Sequence, residues 1–368
     1  MIGKNLIHIC NYAANYSGNF IASISKLTVN VMQTNRVFFV FPKTAQGKEW
    51  LSKLPVPASH IFFCSFEPKE LHAMCRKLSK EFSPKNTVIH THFVDGKALV
   101  GVKICFKNVV IHFHMTAPRV AGARSFLKKI LMNLVYRNLI VIGVSEAVTH
   151  DLKKHYYFSK HECITNAISF EDLEQNAKLS NIQHSIEQGY FSILIHGTHF
   201  DRKGVDLAIK ALETMETSVS SKCMLYITSH NAESAHNSVS NLKSTFTNIR
   251  ILSVVEGVKS LYDSVDLFIS PSRDEAFGYA VAEASFSECQ VLASNIPGQN
   301  TMMDIPGIYW VGSQDPESLK NAIEEAIKKK EAGRVVEIKQ KQREYVVENY
   351  GISKWVDAVM ALYDKYFG

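Results

Sequence analysis

The chain has 368 residues, 46% of them hydrophobic and 21% charged, which supplies a sizeable core and excludes disordered, low-complexity and collagen-like classes. The formal net charge of +6 conceals an asymmetry: residues 1–170 hold 22 Lys and Arg against 8 Asp and Glu, a balance of +14, and the remainder stands at −8. No apolar run approaches the roughly 20 residues a bilayer-spanning helix needs, and the N-terminal segment loses its apolar character too soon for a signal peptide.

Short β-branched or aromatic runs predict strands at 6–10, 37–41, 61–64, 87–91, 108–113 and 139–144. A polar stretch follows near 169–189 and reads as a linker. The pattern then restarts at 192–196, 223–228, 249–252, 267–270, 290–294 and 308–311. Continuous apolar strands interleaved with helical stretches imply parallel sheets covered on both faces. Two such series predict two doubly wound, Rossmann-like α/β domains rather than one barrel, with ligands outside the C-terminal strand ends.

After the first strand, "NYAANYSGNF" carries Gly18 just before a helix. It is a plain turn or a place where backbone approaches an anion, and with a single glycine it is no dinucleotide fingerprint. Two further strand ends, "VIHTHF" with His90 and His92 and "VVIHFHMT" with His112 and His114, place histidines on one sheet face. These are structural imidazoles or, alternatively, zinc ligands, for which no partner stands at a fixed spacing. No metal site is expected there. The seven cysteines are scattered, odd in number and without a C-x-x-C, which predicts a reducing compartment and hence a cytoplasmic protein. The segment 122–138, with Phe126, Leu127, Ile130, Leu131, Leu134 and Val135 at helical spacing among Arg124, Lys128, Lys129 and Arg137, reads either as a basic amphipathic helix on an anionic membrane or as a helix covering the sheet.

The seventh strand runs into "HGTHFDRKGVDLAIKAL". Arg202, Lys203 and Gly204 occupy a loop before an amphipathic helix that starts at Val205. Two cations beside a helix N-terminus are unfavourable for its dipole, and an anion such as a diphosphate relieves them. Arg can fork two oxygens, Lys adds a point charge and Gly204 keeps the backbone accessible. Further on, "SPSRDEAFGYAVAEASF" places Glu283 inside an apolar helical run, where a carboxylate is costly unless it is paired or has work to do.

These two segments together resemble the GT-B glycosyltransferases of family 4: a basic KG loop, an aromatic-Asp strand ending in Pro-Ser, then E-x7-E formed by Glu275 and Glu283. "VIHTHF", "FHMT", "VIGVSEAVTHDL" and "CITNAIS" fall where that family's N-terminal landmarks would. The resemblance implies an acceptor-binding domain over 1–170, joined by a C-terminal helix at 352–368 that crosses back, and a donor-binding domain over 171–351. It implies transfer from a nucleotide diphosphate sugar, a UDP-sugar favoured, with retention of configuration and no metal cofactor. Arg202 and Lys203 would bind the diphosphate, Glu283 the ribose, and Glu275 the donor sugar, with backbone amides of Ala276, Phe277 and Gly278 nearby. Gly197 would line the donor site, Gly18 would approach the diphosphate or the acceptor, and His114 would reach the sugar near the reacting carbon.

The sequence departs from the pattern at Gly197-Thr198, where many members have Gly-Arg, at Asn166-Ala167 in place of Asn-Gly, and in the single glycine of the first loop. The resemblance also gives the basic first half a meaning: a lipid-linked or glycan acceptor at the inner face of the cell membrane, in surface polysaccharide assembly. A GT-B epimerase and a non-catalytic sugar-nucleotide-binding partner are the competing readings. Nucleic-acid binding is disfavoured, because no recognised module accompanies the charge.

Overall fold

The computed structural model describes residues 3–115, 123–178, 186–254, 257–333 and 336–368. In chain order the elements are β1 (Asn5–Cys10), α1 (Gly18–Val31), β2 (Arg36–Pro42), β3 (Ile61–Cys64), α2 (Pro68–Glu81), β4 (Thr87–His92), α3 (Gly96–Cys105), β5 (Asn108–Phe113), α4 (Ala123–Tyr136), β6 (Ile140–Gly143), α5 (Glu146–His155) and β7 (Lys160–Cys163). They continue as α6 (Phe170–Lys178), β8 (Phe191–His196), α7 (Phe200–Lys203), α8 (Val205–Glu213), α9 (Thr217–Ser220), β9 (Cys223–Ser229), α10 (Ala232–Asn241), β10 (Ile249–Ser253), α11 (Lys259–Ser264), β11 (Leu267–Ser270), α12 (Tyr279–Phe286), β12 (Gln290–Ser294), β13 (Tyr309–Val311), α13 (Pro316–Glu331), α14 (Val336–Tyr350) and α15 (Ile352–Phe367).

Contacts divide the chain into two compact units, one of residues 1–167 and 352–368, the other of residues 168–351. Among the described residues, unit 1 holds a seven-stranded sheet in the order β3-β2-β1-β4-β5-β6-β7 and unit 2 a six-stranded sheet in the order β10-β9-β8-β11-β12-β13. Every pairing is parallel. Strand order reverses between β1 and β4 in unit 1 and between β8 and β11 in unit 2. A doubly wound sheet opens its ligand crevice at such a switch point.

The strands are buried because both faces are covered. In unit 1 one face carries Leu6, Cys10, Val37, Phe39, Phe41, Val88, Val110, Ile140 and Ile142, packed beneath Ile21, Ile24, Leu27 and Val31 of α1 and Trp355, Val356, Val359 and Tyr363 of α15. The last helix of the chain therefore belongs to the core of unit 1. In unit 2, Val205, Ala208, Ile209 and Leu212 of α8 cover Ile193, Ile195, Leu225 and Ile227. Opposite them, Val281, Ala282 and Phe286 of α12 pack with Leu194, Tyr226 and Phe268.

All twelve expected strands are present, with ends displaced by a residue or two. A thirteenth, β7, was not expected: "KHEC" is polar, and Lys160 and His161 stay exposed at the sheet edge, so no apolar run marks it. The expected linker is also corrected. Its first half is α6, whose Leu173 is buried in unit 2, while 179–185 lies outside the described residues.

The burial pattern of α1 predicts a contrast within one helix. Ile24→Ala removes a fully buried side chain and should cost about 2–5 kcal/mol. Val29→Ala, at a position half exposed to solvent, should change stability by less than about 0.5 kcal/mol. Urea unfolding followed by circular dichroism measures both, and equal effects would contradict the assignment of the α1 core face.

Candidate functional site

The motif residues of unit 2 gather at the C-terminal ends of β8 and β11, the switch-point pair. β8 ends at His196, and the N–H of Gly197 donates to the Thr228 carbonyl at 2.8 Å. A Cβ at 197 would lie 2.5 Å from Ile227 Cγ2, so the chain leaves the sheet there in contact with β9. Arg202 and Lys203, expected in a loop, instead occupy the single helical turn α7. Gly204 then takes φ +70 and joins α7 to α8. Its backbone lies so close to the loop after β11 that a Cβ would sit 2.1 Å from the Pro271 carbonyl oxygen. Only glycine meets both conditions.

A second tie holds these loops together. The Arg273 guanidinium forks onto Asp206, at 2.7 Å to Oδ1 and 2.6 Å to Oδ2, and also donates to the Asp201 carbonyl. The Arg273 N–H donates to the Arg202 carbonyl at 2.8 Å. The hydrogen bonds that Arg273 donates to Asp206 push the Arg273 pKa above its ordinary value. Asp206 lies in the first turn of α8, where a carboxylate also favours the helix dipole.

Within this frame three of the expected residues meet directly. Lys203 Nζ is ion-paired to Glu275 Oε1, Arg202 Nη1 lies 3.7 Å from Glu275 Oε2, and Ser272 Oγ donates to Glu275 Oε1 at 3.1 Å. Arg202 also donates to the Asp274 carbonyl at 3.2 Å. The anion that the paired cations call for is, within the chain, Glu275. With Lys203 17% and Glu275 12% exposed, the pair is screened less than a surface ion pair. The loop after β12 closes on the same place: Gly298, at φ +88, would put a Cβ 2.0 Å from the Glu275 carbonyl oxygen. Gln299 donates to the Ser270 carbonyl at 3.1 Å.

Ala276 and Phe277 lead into α12, capped by Gly278 in the left-handed conformation at φ +97. Phe277 is buried against Tyr279 and Tyr350. Glu283 is partly buried on α12 and lies within electrostatic reach of Tyr262, whose hydroxyl is held protonated first by burial and then by that carboxylate. The Tyr262 hydroxyl bonds His196 Nε2 at 2.7 Å, and His196 Nδ1 bonds Thr228 Oγ1 at 2.8 Å. Burial, with a smaller push from Lys203, lowers the His196 pKa to about 3 and keeps the ring neutral. A polar string thus runs from Glu283 through Tyr262 to His196, toward the Lys203 side of the site. The sequence reading missed His196, Tyr262, Asp206, Arg273 and Gln299. His196 could have been found by the strand-end rule already applied to His92 and His114.

In unit 1, Gly18 opens α1 at φ +56, with Tyr12 Oη donating to the carbonyls of Tyr16 at 2.8 Å and Ser17 at 3.1 Å. His114 follows β5, stacks on Phe93 with centroids 4.2 Å apart, and meets Phe20 of α1 edge-on. Its Nε2 lies 3.2 Å from His92 Nδ1, and burial lowers its pKa to about 3. Phe93 itself takes φ 58, a strained value for an aromatic residue, where β4 ends. Thr116 of "FHMT" lies outside the described residues.

Residues 191–329 match the family described as Glycosyl transferases group 1. The O-antigen biosynthesis glycosyltransferase WclY of Escherichia coli is 29% identical over 149 residues, which is 39% of this chain and 40% of that protein. The lipopolysaccharide glucosyltransferase WaaG of Escherichia coli K12 is 23% identical over 128 residues, 35% of this chain and 34% of that one. The matched segments thus span well under two thirds of either relative. The Anabaena protein Alr3699/HepE, solved with UDP and glucose, superposes with a TM-score of 0.75 at 15% identity, covering 98% of this chain and 100% of its own. That likeness is one of fold. The match to the group 1 glycosyl transferase family thus lies within unit 2, and the chain has the two-domain Rossmann-like fold of the GT-B glycosyltransferases.

The close approach at Gly204 separates two otherwise similar substitutions. Gly189, at φ +89 with open space around it, should lose about 1–2 kcal/mol as alanine through its backbone conformation alone. Gly204→Ala should lose a further 1–3 kcal/mol or so, because Pro271 must also move. Chemical unfolding of the two variants, monitored in parallel, tests the difference.

Proposed function

We propose that the chain is a retaining glycosyltransferase that moves a sugar from a nucleotide diphosphate sugar, foremost a UDP-sugar, to a lipid-linked or glycan acceptor in cell-surface polysaccharide assembly. The observation that carries the reading is the convergence of Arg202, Lys203 and Glu275 at the C-terminal ends of β8 and β11. The similarity to WclY and WaaG supports the surface-polysaccharide setting, and the UDP and UDP-glucose complexes of HepE support the donor class.

In this reading Arg202 and Lys203 hold the diphosphate and stabilise the charge that grows on it as the leaving group departs, so no metal ion is required there. Glu275 lies against the hydroxyls of the transferred sugar, and Glu283 accepts from the ribose hydroxyls. Gly197 and the backbone amides of Ala276, Phe277 and Gly278 line the donor. Unit 1 serves the acceptor, with Gly18 giving close backbone approach and His114 serving near the reacting carbon. The anomeric carbon–phosphate oxygen bond breaks through an oxocarbenium-like state as the acceptor oxygen bonds to the same face. The acceptor proton passes to the departing phosphate, so no side chain acts as a nucleophile.

The acceptor reading extends to α4. Ile130, Leu131 and Leu134 are 44%, 52% and 60% exposed, while Met132 and Val135 face the interior. Lys129 and Arg137 flank the exposed apolar side chains. Gly122 and the side chains of Arg124, Phe126, Leu127 and Lys128 lie outside the described residues. No helix among the described residues is long and apolar enough to cross a membrane. An exposed apolar stripe edged by cations suits peripheral contact with an anionic inner membrane face.

A thermal-shift series with UDP, GDP, ADP and CMP in EDTA tests the donor reading. UDP should raise the melting temperature, and Arg202→Ala or Lys203→Ala should weaken its binding roughly 10- to 150-fold, the loss of one charge-assisted hydrogen bond. No shift with any nucleotide, from folded protein, would turn the reading toward a degenerate partner that has lost donor binding or a donor outside this series. Flotation with vesicles containing phosphatidylglycerol tests the surface. The wild type should float at low salt and Leu131→Ser/Leu134→Ser should remain in the soluble fraction; equal behaviour would refute membrane contact through α4.

A further inference from the structure

Five imidazoles lie together inside unit 1. The register of the sheet sets His8 of β1 beside His90 of β4, and His92 of β4 beside His112 of β5, with His114 two residues further on. Alternation along each strand turns all five to the sheet face that α1 and α15 cover. His8, His90 and His92 are fully buried and His112 is 2% exposed. Burial of a polar ring is tolerated when its nitrogens are met. Here, among the described residues, His8 Nε2, His90 Nε2 and both nitrogens of His112 have no protein partner. A neutral imidazole always carries one N–H and one bare nitrogen, so no choice of tautomers satisfies this group from within.

Two overlapping triads bring ligand atoms within 4.8 Å of one another: His8, His90 and His92, and His92, His112 and His114. The first has features the second lacks. His90 Nδ1 is held by the Tyr363 hydroxyl at 2.6 Å, and His92 Nδ1 by His114 Nε2 at 3.2 Å. Each ring is thereby fixed through its outer nitrogen, with Nε2 left as the inner one, the pattern by which metal-bound histidines are oriented. His92 Nε2 in turn lies 3.2 Å from His8 Nδ1. Two nitrogens on a tetrahedral zinc ion stand roughly 3.3 Å apart, given Zn–N distances near 2.0–2.1 Å.

We propose that His8, His90 and His92 bind a single zinc ion in unit 1, joining β1 to β4 beneath α15. The donor set is all-imidazole, which suits zinc and excludes the oxygen-seeking magnesium and calcium. The ion is structural: the ligands are inside the core, and Tyr363 of the last helix orients one of them. Its ligands all belong to unit 1 and the proposed diphosphate ligands Arg202 and Lys203 to unit 2, so nucleotide binding in EDTA and zinc content are separate observables.

The test is the metal content of the full chain, prepared without a histidine tag from zinc-supplemented medium and analysed by elemental mass spectrometry. The wild type should hold one zinc per chain. His8→Asn and His90→Asn should lose it and melt at lower temperature, while His112→Asn should retain it. Protein grown on cobalt in place of zinc should show the strong visible bands of a four-coordinate ion, a readout that needs no variant to fold. A folded wild type with no stoichiometric metal overturns the proposal and leaves a neutral hydrogen-bonded cluster. Metal kept by His8→Asn and lost by His112→Asn overturns the ligand assignment in favour of the other triad. Nickel or copper in place of zinc overturns the choice of ion.

Discussion

Everything at the unit 2 site depends on two places where backbone touches backbone. The turn at Gly204 rests on the Pro271 carbonyl, and the turn at Gly298 rests on the Glu275 carbonyl; a Cβ would stand 2.1 and 2.0 Å from those oxygens. These contacts bring the loops after β8, β11 and β12 to one point, although nearly a hundred residues separate the first from the last. The Arg273–Asp206 fork then locks the first two loops in register, with a geometry that a lysine at 273 could not reproduce. The side chains proposed to meet the donor follow from this frame: Arg202 and Lys203 ride on the α7 turn, and Glu275 on the segment that Gly298 presses against.

Charge follows from the same frame. Lys203 and Arg202 share one carboxylate, Glu275, while Arg273 and Asp206 pair with each other beside them. In the proposed reading a diphosphate would add its oxygens to an ion pair already in place rather than assemble one. Glu275 would have to share Lys203 with it, which orders the site before binding and limits the reorganisation on arrival. The polar string from Glu283 through Tyr262 to His196 extends the site along α12 into the sheet. It gives the one carboxylate of an otherwise apolar helix a neighbour that is held protonated.

The fold was legible in the residues because parallel strands are rich in β-branched and aromatic side chains, and twelve of the thirteen strands among the described residues carry enough of them to stand out. β7 does not, since an edge strand with exposed Lys160 and His161 has no need of it. Within the site, legibility followed chain locality. Arg202, Lys203, Glu275 and Glu283 stand in short segments whose spacing is itself a signal. Asp206 and Arg273 lay inside those same segments, yet their meaning is a pairing across 67 positions that no local pattern records. The helical turn at α7 was read as a loop because four residues carry no periodicity. Gly298 reads as an ordinary turn glycine until the Glu275 carbonyl is seen against it.

The two units treat a histidine at a strand end in opposite ways. In unit 2, His196 has one ring nitrogen on Thr228 and the other on Tyr262, and nothing is left over. In unit 1 the equivalent layer contains five rings, of which His112 has neither nitrogen met by protein and two others have one bare. An unmet buried polar group costs about 1–3 kcal/mol, and several in one layer would consume a large part of a domain's stability. Apolar side chains would fill the same space, as Leu6 and Val88 do one row below on β1 and β4 and Val110 does beside His90 on β5. A cation is a ligand that several imidazole nitrogens can share, and one on the His8, His90 and His92 triad would meet the bare His90 Nε2.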